Sequence, residues 1–341
     1  MKILRNIIIG FFLFLLLVVS AGSYAVNNAG AMGFIAREAV RKYVRSVEVK
    51  ELKFGSLVYS FPSGWVLKDV RIRLLSDKRL FTFSSARIEI RDALNWLKPR
   101  RPVHVVLSEA DGVYDKLKVS GVSVQADVSR EGARAVFRGE IEAASFFWDK
   151  VGGSAAKVFF TADPRVAVMN NIQADVYGGR LTGTSTVVFG KTPRYEVNAV
   201  LSGVDIAQLD RTLGGAFHEL GGTLSGSARV AGVGQQINAL DMSWNMPSGG
   251  KVSAALLASI ASYLPASVEK KRIDSLIRSG GKLAVEVFSF TIRNDMPDHL
   301  SGTIGLKSRE ANLELNISHE VKVDARLDSL LTAWGVVFKQ P

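Results

Sequence analysis

Apolar and polar residues alternate along most of the chain after position 46, with a period of two. Successive side chains of an extended chain point to opposite faces, so this pattern is typical of strands that bury one face. The segment 70–74 (VRIRL) is a clear case, with arginines between its aliphatic residues. The pattern predicts a mainly β fold of roughly fifteen short antiparallel strands joined by tight turns. The apolar-phase residues of the clearest strands are Val70, Ile72, Leu74, Ile88, Ile90, Val176, Val197, Leu201, Leu224, Val230, Leu313, Leu315 and Val323.

Glycines divide the stretch 174–234 into two predicted hairpins with a short helix between them. Gly178–Gly179 predicts a tight turn, because glycine adopts positive φ without strain. Ser202–Gly203 predicts the end of a strand, and Asp205 is the expected N-cap of the helix that follows. Asp210, further along that helix, is interpreted as solvated.

Few segments have a helical period. Residues 252–264 are apolar almost all round and 267–278 are amphipathic, so they predict a helical pair interrupted at Pro265. Residues 143–150 predict a further short helix. In 282–294 the apolar positions change phase, which predicts a bulge or a stretch buried on both faces.

The segment 1–26 predicts a transmembrane anchor. A nearly uninterrupted apolar run follows Lys2 and Arg5, and about 20 such residues suffice for a helix to cross a bilayer core. Small residues at 23–25 also fit the cleavage site of a signal peptide, which is the alternative. We expect an uncleaved helix with its N-terminus inside and the bulk of the chain exported. The expected anchor residues include Ile7, Phe11, Phe12, Leu15, Leu16 and Val19.

The segment 27–46 is a predicted juxtamembrane helix. Its residues 34–46 place an apolar face opposite an arginine-rich face. Such a helix either lies on lipid headgroups or packs its apolar face on the sheet that follows, and the sequence leaves both open.

Composition narrows the possible chemistry. Hydrophobic residues make up 47% of the chain, enough for a sizeable core, and there is no cysteine for a disulfide or a thiolate metal site. The net charge of +11 favours anionic surfaces such as lipid headgroups. That charge is spread over many strands, so we do not expect a nucleic-acid partner. The histidines lack metal-ligand spacing and no catalytic motif stands out, so we expect neither an enzyme nor a cofactor or metal site.

An antiparallel sheet with one apolar face must cover that face. Burial of apolar surface is worth about 25 cal/mol per Å², so a wide exposed face is disfavoured in water. A second sheet, helices or a bound ligand can supply the cover, and the predicted helices are too few for so many strands. The alternation alone therefore leaves open a β-sandwich or barrel and a ligand-covered sheet.

One segment resembles a known family. The order of the motifs YGGRLTG at 177–183, LSGVDI at 201–206 and GGTLSG at 221–226 resembles the C-terminal domain of the AsmA-like envelope proteins. The resemblance covers 160–334 and, in general plan, the N-terminal anchor. It implies a long curved antiparallel sheet that forms an open groove, apolar inside and polar outside. Its segments are then 47–160 and 161–335, the second containing the helical pair.

The resemblance also implies a function. AsmA-like proteins look like members of the bridge-like lipid-transfer group. This implies a single-pass protein of the bacterial inner membrane, with its bulk in the periplasm, that binds or conducts phospholipid. It would support outer-membrane lipid homeostasis or assembly, and the apolar-phase residues would line the groove. The alternative is a scaffold without lipid cargo that assists outer-membrane protein assembly by contacting other envelope proteins.

Overall fold

The structure is a computed structural model that describes residues 48–322, except 54, 61–63, 77–78, 93–94, 96–100, 133, 214–219, 235, 262–265, 281, 297–298, 310 and 312. The predicted anchor, the predicted juxtamembrane helix and Val323 lie outside the described residues. Within the described part, no helix is long and apolar enough to cross a bilayer.

Strands dominate the described chain. The first nine are β1 (Glu48–Lys53), β2 (Ser56–Ser60), β3 (Gly64–Ser76), β4 (Arg79–Arg91), β5 (Val103–Tyr114), β6 (Leu117–Glu131), β7 (Arg134–Trp148), β8 (Val151–Ala162) and β9 (Val166–Val176). The others are β10 (Gly179–Val188), β11 (Arg194–Asp205), β12 (Gly221–Val233), β13 (Gln236–Asn245), β14 (Gly250–Val252), β15 (Leu283–Val285), β16 (Val287–Met296), β17 (His299–Ser308) and β18 (Leu313–Lys322). Three helices accompany them: α1 (Ile206–Leu213), α2 (Ala254–Ala261) and α3 (Val268–Ser279).

These strands pair into one open antiparallel sheet of 18 strands. From β3 to β13 each strand pairs with the next one along the chain. β2 pairs with the first half of β3, and β1 pairs with the second half of β3. The sheet continues from β13 to β16, β17 and β18, while the short β14 and β15 pair beside β12. The predicted mainly β fold with an antiparallel sheet is confirmed.

The chain divides into two compact units. Unit 1 comprises the described residues up to Ala174 together with Thr186–Pro193, and unit 2 comprises Asp175–Ser185 and the described residues from Arg194 onward. The division therefore cuts across β9 and β10 and has a further break just before β11.

Strands of unit 1 are interrupted near their middle. Asp69 in β3 and Glu109 in β5 have positive φ, and the pairing register places both beside Ala86 of β4, which is itself skipped. Gly121 in β6 and Ala155 in β8 also have positive φ and lie beside the skipped residue 144 of β7. Bulges and kinks of this kind bend a strand and increase its twist. Unit 1 is thus a sheet of long strands that are bent at neighbouring positions.

Each unit has its own core on one face of its part of the sheet. In unit 1 the core contains fully buried Leu67, Val70 and Ile88, with further residues from β1 to β7. In unit 2 the main core joins α2 and α3 to β14–β18, through residues such as Leu257 and Ile273. The strands contribute their apolar-phase side chains to both cores, as the alternation predicts, and the helices add theirs in unit 2.

The predicted helices of unit 2 are present, and Asp205 is the N-cap of α1 as the sequence predicts. An Asp205 side-chain oxygen accepts a hydrogen bond from the Ala207 amide at 2.8 Å, at the start of α1. The Ser267 hydroxyl oxygen accepts one from the Lys270 amide at 3.2 Å, at the start of α3. α3 ends at Gly280, whose φ of 65° is the left-handed conformation that favours glycine.

Two sequence interpretations are wrong for reasons of long-range packing. Residues 143–148 continue β7 and pair with both β6 and β8, so the predicted helix at 143–150 is absent. Sheet pairing on both sides overrides the local preference of this alanine- and aromatic-rich stretch. Asp210 is 5% exposed, because it lies one turn after buried Ile206 on the face of α1 that packs inward.

Some predicted breaks fall elsewhere. Positive φ at the β9–β10 turn occurs at Tyr177 and Gly178, one position earlier than predicted. Gly203 is a bulge within β11, which continues to Asp205. The phase change in 282–294 marks the end of β15 and the start of β16, because β15 pairs with β14 whereas β16 pairs with β13 and β17.

Candidate functional site

The apolar face of unit 1 is continuous across six strands. Register pairs link large aliphatic residues from β3 to β8 in one row across the sheet, directly opposite one another. That row is Leu67, Ile88, Leu107, Val124, Ile141 and Val158. A second row nearer the β3–β4, β5–β6 and β7–β8 turns is Leu74, Phe81, Tyr114, Leu117, Trp148 and Val151. We call the surface formed by these rows the unit 1 apolar face.

Burial along the unit 1 apolar face falls from one side to the other. Leu67 and Ile88 are fully buried, whereas Ile141 and Val158 in the same row are half-buried. On the β3–β5 part of this face, the side chains bury one another, and Leu52 of β1 and neighbouring residues pack against them. The β6–β8 part therefore retains accessible apolar surface.

Unit 2 has a corresponding face. Across β11, β12, β13, β16 and β17, register pairs again bring apolar or glycine positions into rows. The rows include Val197, Val230 and Leu240; Ala199, Ala228, Met242, Ile292 and Gly302; and Leu201, Gly226, Trp244, Phe290 and Ile304. We call this surface the unit 2 apolar face. Val197 and Leu201 are half-buried, so this face too is only partly covered.

The helical pair covers one part of the unit 2 apolar face. Ile273 of α3 and Leu257 of α2 are fully buried in a cluster that includes Phe288, Leu306 and Leu315 of the sheet. Phe288, Leu306 and Leu315 are register partners on β16, β17 and β18. The helices thus fill the face over these last strands. A separate small cluster around Ile237, Leu240 and Ile292 lies between β13 and β16.

The opposite face of the sheet carries charge. In unit 1 Glu89 accepts hydrogen bonds from Arg91 at 2.6 Å and lies 2.6 Å from Arg87. The hydrogen bond from Arg91, with help from the nearby Arg87 charge, lowers the pKa of Glu89 despite its burial. Lys157 contacts Glu140 and lies 3.0 Å from Glu142. The Glu140 hydrogen bond is the main cause that raises the pKa of Lys157.

Unit 2 shows the same division of faces. Arg229 and Glu196, neighbours across β11 and β12, form an ion pair of 3.0 Å, and Lys307 and Glu314 form one of 3.1 Å across β17 and β18. All four side chains are well exposed, so each pair adds little to stability. These charged side chains make this face, which is opposite the unit 2 apolar face, polar and solvated.

Two aromatic residues bring polar atoms to the unit 2 apolar face. The hydroxyl of Tyr195 and the indole N–H of Trp244 are buried without a hydrogen-bond partner among the described residues. Burial also raises the pKa of the Tyr195 phenol, which keeps it protonated and able to donate. Both groups can donate to an acceptor oxygen that lies on this face.

Glycines on these faces mark very close strand approach. A Cβ at Gly139 would overlap the carbonyl of Gln125, and a Cβ at Gly226 would overlap that of Ser243. Gly226 belongs to a row of the unit 2 apolar face, opposite Trp244, and Gly139 lies on the same side of β7 as Ile141, opposite Ala126. Glycine inside a strand often marks a tight bend or a place where backbones come close. The sheet is therefore tightly bent or coiled at these points.

The sequence-predicted lining residues separate into two groups. Val70, Ile72, Leu74, Ile88 and Ile90 are buried in the unit 1 core, and Leu313 and Leu315 in the unit 2 core. Val197, Leu201, Leu224 and Val230 are half-buried on the unit 2 apolar face, and Val176 is buried at the end of β9. The sequence does not predict the β6–β8 part as lining, although Val122 and Val124 alternate there with polar residues.

Catalytic or metal-binding arrangements are scarce in the described part of the chain. It contains no group of three or more His, Asp or Glu residues placed to hold a metal ion. His104 lies 2.6 Å from Asp127 on the charged face, and both side chains are largely exposed. This pair is a cross-strand contact between β5 and β6, because the two residues are register partners.

Comparisons with protein-family models, with curated proteins and with solved structures found no match to this chain.

Proposed function

We propose that this protein binds or conducts phospholipid along the apolar faces of its sheet, as a single-pass protein of the bacterial inner membrane with its bulk in the periplasm. The observation that carries the proposal is the half-buried part of those faces: β6–β8 in unit 1 and β11–β12 in unit 2. Acyl chains lying there would leave water, with a gain of about 0.8 kcal/mol per CH₂. The protein would thereby support outer-membrane lipid homeostasis or assembly.

Several features support this choice of ligand. The bent strands favour a groove whose apolar side follows the sheet, with the ion pairs facing water. Long aliphatic rows match acyl chains, which need apolar contact but no specific chemistry. The donors of Tyr195 and Trp244 suit the ester or phosphate oxygens that a phospholipid carries and a plain hydrocarbon lacks. The sequence resemblance to AsmA-like proteins implies the same cargo.

A scaffold for outer-membrane protein assembly, acting through other envelope proteins, is the second candidate. It is favoured by the helical pair, which shows that a protein segment can cover the unit 2 apolar face over Phe288, Leu306 and Leu315. A strand or helix of a partner would cover the β11–β12 part in the same way.

A bulky side chain placed on the apolar face tests the proposal. Ala228 is half-buried on the unit 2 apolar face, whereas its neighbour Ser227 is exposed on the charged face. We would purify the full chain and the variants Ala228→Trp and Ser227→Trp, exchange the detergent thoroughly, and quantify retained phospholipid by mass spectrometry. Thermal unfolding of each variant would confirm that it is folded.

Retention of phospholipid by the natural chain and by Ser227→Trp, with loss in Ala228→Trp, is the expected result. Equal retention by all three would mean that the lipid belongs to the detergent micelle or the anchor, which contradicts the proposal. A protein that retains no phospholipid but holds a partner protein, released by Ala228→Trp, would instead establish the scaffold.

A further inference from the structure

Neighbouring hairpins of unit 1 share a turn sequence. The β5–β6 turn reads Tyr-Asp-Lys-Leu at 114–117 and the β7–β8 turn reads Trp-Asp-Lys-Val at 148–151. The chain between β3 and β4 also contains Asp-Lys, at 77–78. Because β5 to β8 pair in chain order, the β5–β6 and β7–β8 turns lie at the same end of unit 1.

Hydrogen bonding joins the β5–β6 and β7–β8 turns. The Asp149 amide donates to the Lys116 carbonyl at 3.0 Å, and the Lys116 ammonium lies 3.5 Å from the Asp149 carboxylate. Asp115 and Asp149 both have positive φ, a conformation that aspartate tolerates better than most residues. The two tips are therefore held side by side.

Large apolar side chains are exposed at this end of unit 1. Phe147 is 49% exposed and Trp148 53% exposed, at the tip of the β7–β8 hairpin. Val151 across the turn, Val113 at the end of β5 and Leu80 at the start of β4 are also exposed. Phe147 packs its ring over Gly152, where a Cβ would lie 2.5 Å from the ring. We call these exposed residues (Leu80, Val113, Phe147, Trp148 and Val151), together with half-buried Leu117 at the start of β6, the hairpin-tip rim.

The exposed side chains at the hairpin tips are not explained by packing in the unit 1 core. Trp148 and Val151 are not part of the unit 1 core, yet they end a row of the unit 1 apolar face that begins at buried Leu74. The same short segments carry Lys116, Lys118 and Lys150. Exposed aromatic side chains beside lysines are characteristic of surfaces at the membrane–water interface, where the rings enter the headgroup layer and the ammonium groups meet lipid phosphates.

We propose that the hairpin-tip rim docks on an anionic phospholipid bilayer, with Trp148 and Phe147 inserted at headgroup depth. Charge favours this occupant: the two turns and the adjoining Lys118 carry three lysines against the aspartates Asp115 and Asp149, in a chain of net charge +11. The contact would place the open end of the unit 1 apolar face against the bilayer. Docking is a property of the rim and does not require that lipid occupies the face.

A fluorescent label at the tip tests this proposal in the full chain. The chain has no cysteine, so a single introduced cysteine can be labelled uniquely. We would label Lys150→Cys with an environment-sensitive fluorophore and reconstitute the protein in vesicles of phosphatidylethanolamine and phosphatidylglycerol. The matched control is Glu131→Cys, in the β6–β7 hairpin at the opposite end of the same strands.

We expect the emission of the Lys150→Cys label to rise about twofold or more and shift to the blue, relative to the same protein in detergent. The Glu131→Cys label should stay water-like, and adding Trp148→Ser to Lys150→Cys should reverse most of the rise. Phosphatidylcholine vesicles should give a smaller rise, because lysines then lack anionic partners.

A water-like label at both positions would overturn the proposal. A rise that disappears when the protein is diluted in excess lipid would also overturn it, since it would indicate contact with a second copy. Loss of bound phospholipid in Ala228→Trp would leave the tip signal unchanged, so failure of the proposed lipid-binding function and failure of membrane docking are distinguishable.

Discussion

Truncation of Ile273 should release the helical pair from the unit 2 apolar face. Ile273 is fully buried between the helices and the sheet, in the cluster that contains Leu257 and Phe288. Replacing a buried isoleucine by alanine costs about 2–5 kcal/mol, from lost apolar burial and the cavity that remains. We take about 3 kcal/mol for Ile273→Ala, because a helix that packs on one face of a sheet can shift and partly close a cavity.

Hydrogen exchange of the α3 amides is the assay. If the substitution lowers the free energy of local opening of α3 by about 3 kcal/mol, the α3 amides should exchange roughly a hundredfold faster. The control is Val268→Ala on the same helix, where Val268 is 60% exposed and a surface change is worth about 0.5 kcal/mol or less. Alanine favours helix over both branched residues by similar amounts, so propensity cancels in the comparison. Equal exchange rates in the two variants would refute the packing described for α3.

Three further predictions concern the sheet and the helix cap. Gly139→Ala should lower the unfolding midpoint in urea, by a loss of about 1–3 kcal/mol, because its Cβ would overlap the neighbouring strand; Gly190→Ala, whose nearest neighbour lies at 3.5 Å, should change it little. Hydrogen bonding from Arg91 lowers the pKa of Glu89 below its ordinary value of 4.5, so this contribution to stability is complete above pH 4.5 and is lost as pH falls through the lowered value. Glu89→Gln should therefore lower the urea midpoint at pH 7 and reduce its further fall under acid; an unchanged acid dependence would contradict the assignment. Ser267→Ala should cost about 1 kcal/mol through loss of the α3 N-cap, seen as faster exchange in the first turn of α3 but not in α1.

Local alternation predicted the strand faces correctly, because it depends only on the extended backbone. Val70, Ile72 and Leu74 share a face in the structure as their spacing predicts. Capping is equally local, and Asp205 caps α1 as predicted because a single side chain is enough to cap a helix.

Features set by distant neighbours were not predictable in this way. Residues 143–148 become a strand only because β6 and β8 lie on either side. The skipped positions at Asp69 and Ala86 follow from the mutual pairing of two strands. The local sequence pattern does not show which apolar rows are covered by other side chains. It therefore predicts Ile88 as accessible lining, although Ile88 is fully buried. The local pattern at 143–150 favours a helix, so it does not predict the exposed hairpin tip at Trp148.

Site-specific photo-crosslinking on β11 tests the central claim most directly. Val197 lies on the unit 2 apolar face, and Asn198 is its exposed neighbour on the charged face. A photoreactive amino acid would replace each in turn in the full chain within cells, and adducts would be identified by mass spectrometry after irradiation. The account predicts phospholipid adducts at 197 and few or none at 198. Protein adducts alone at 197, or phospholipid adducts equally at both positions, would contradict it.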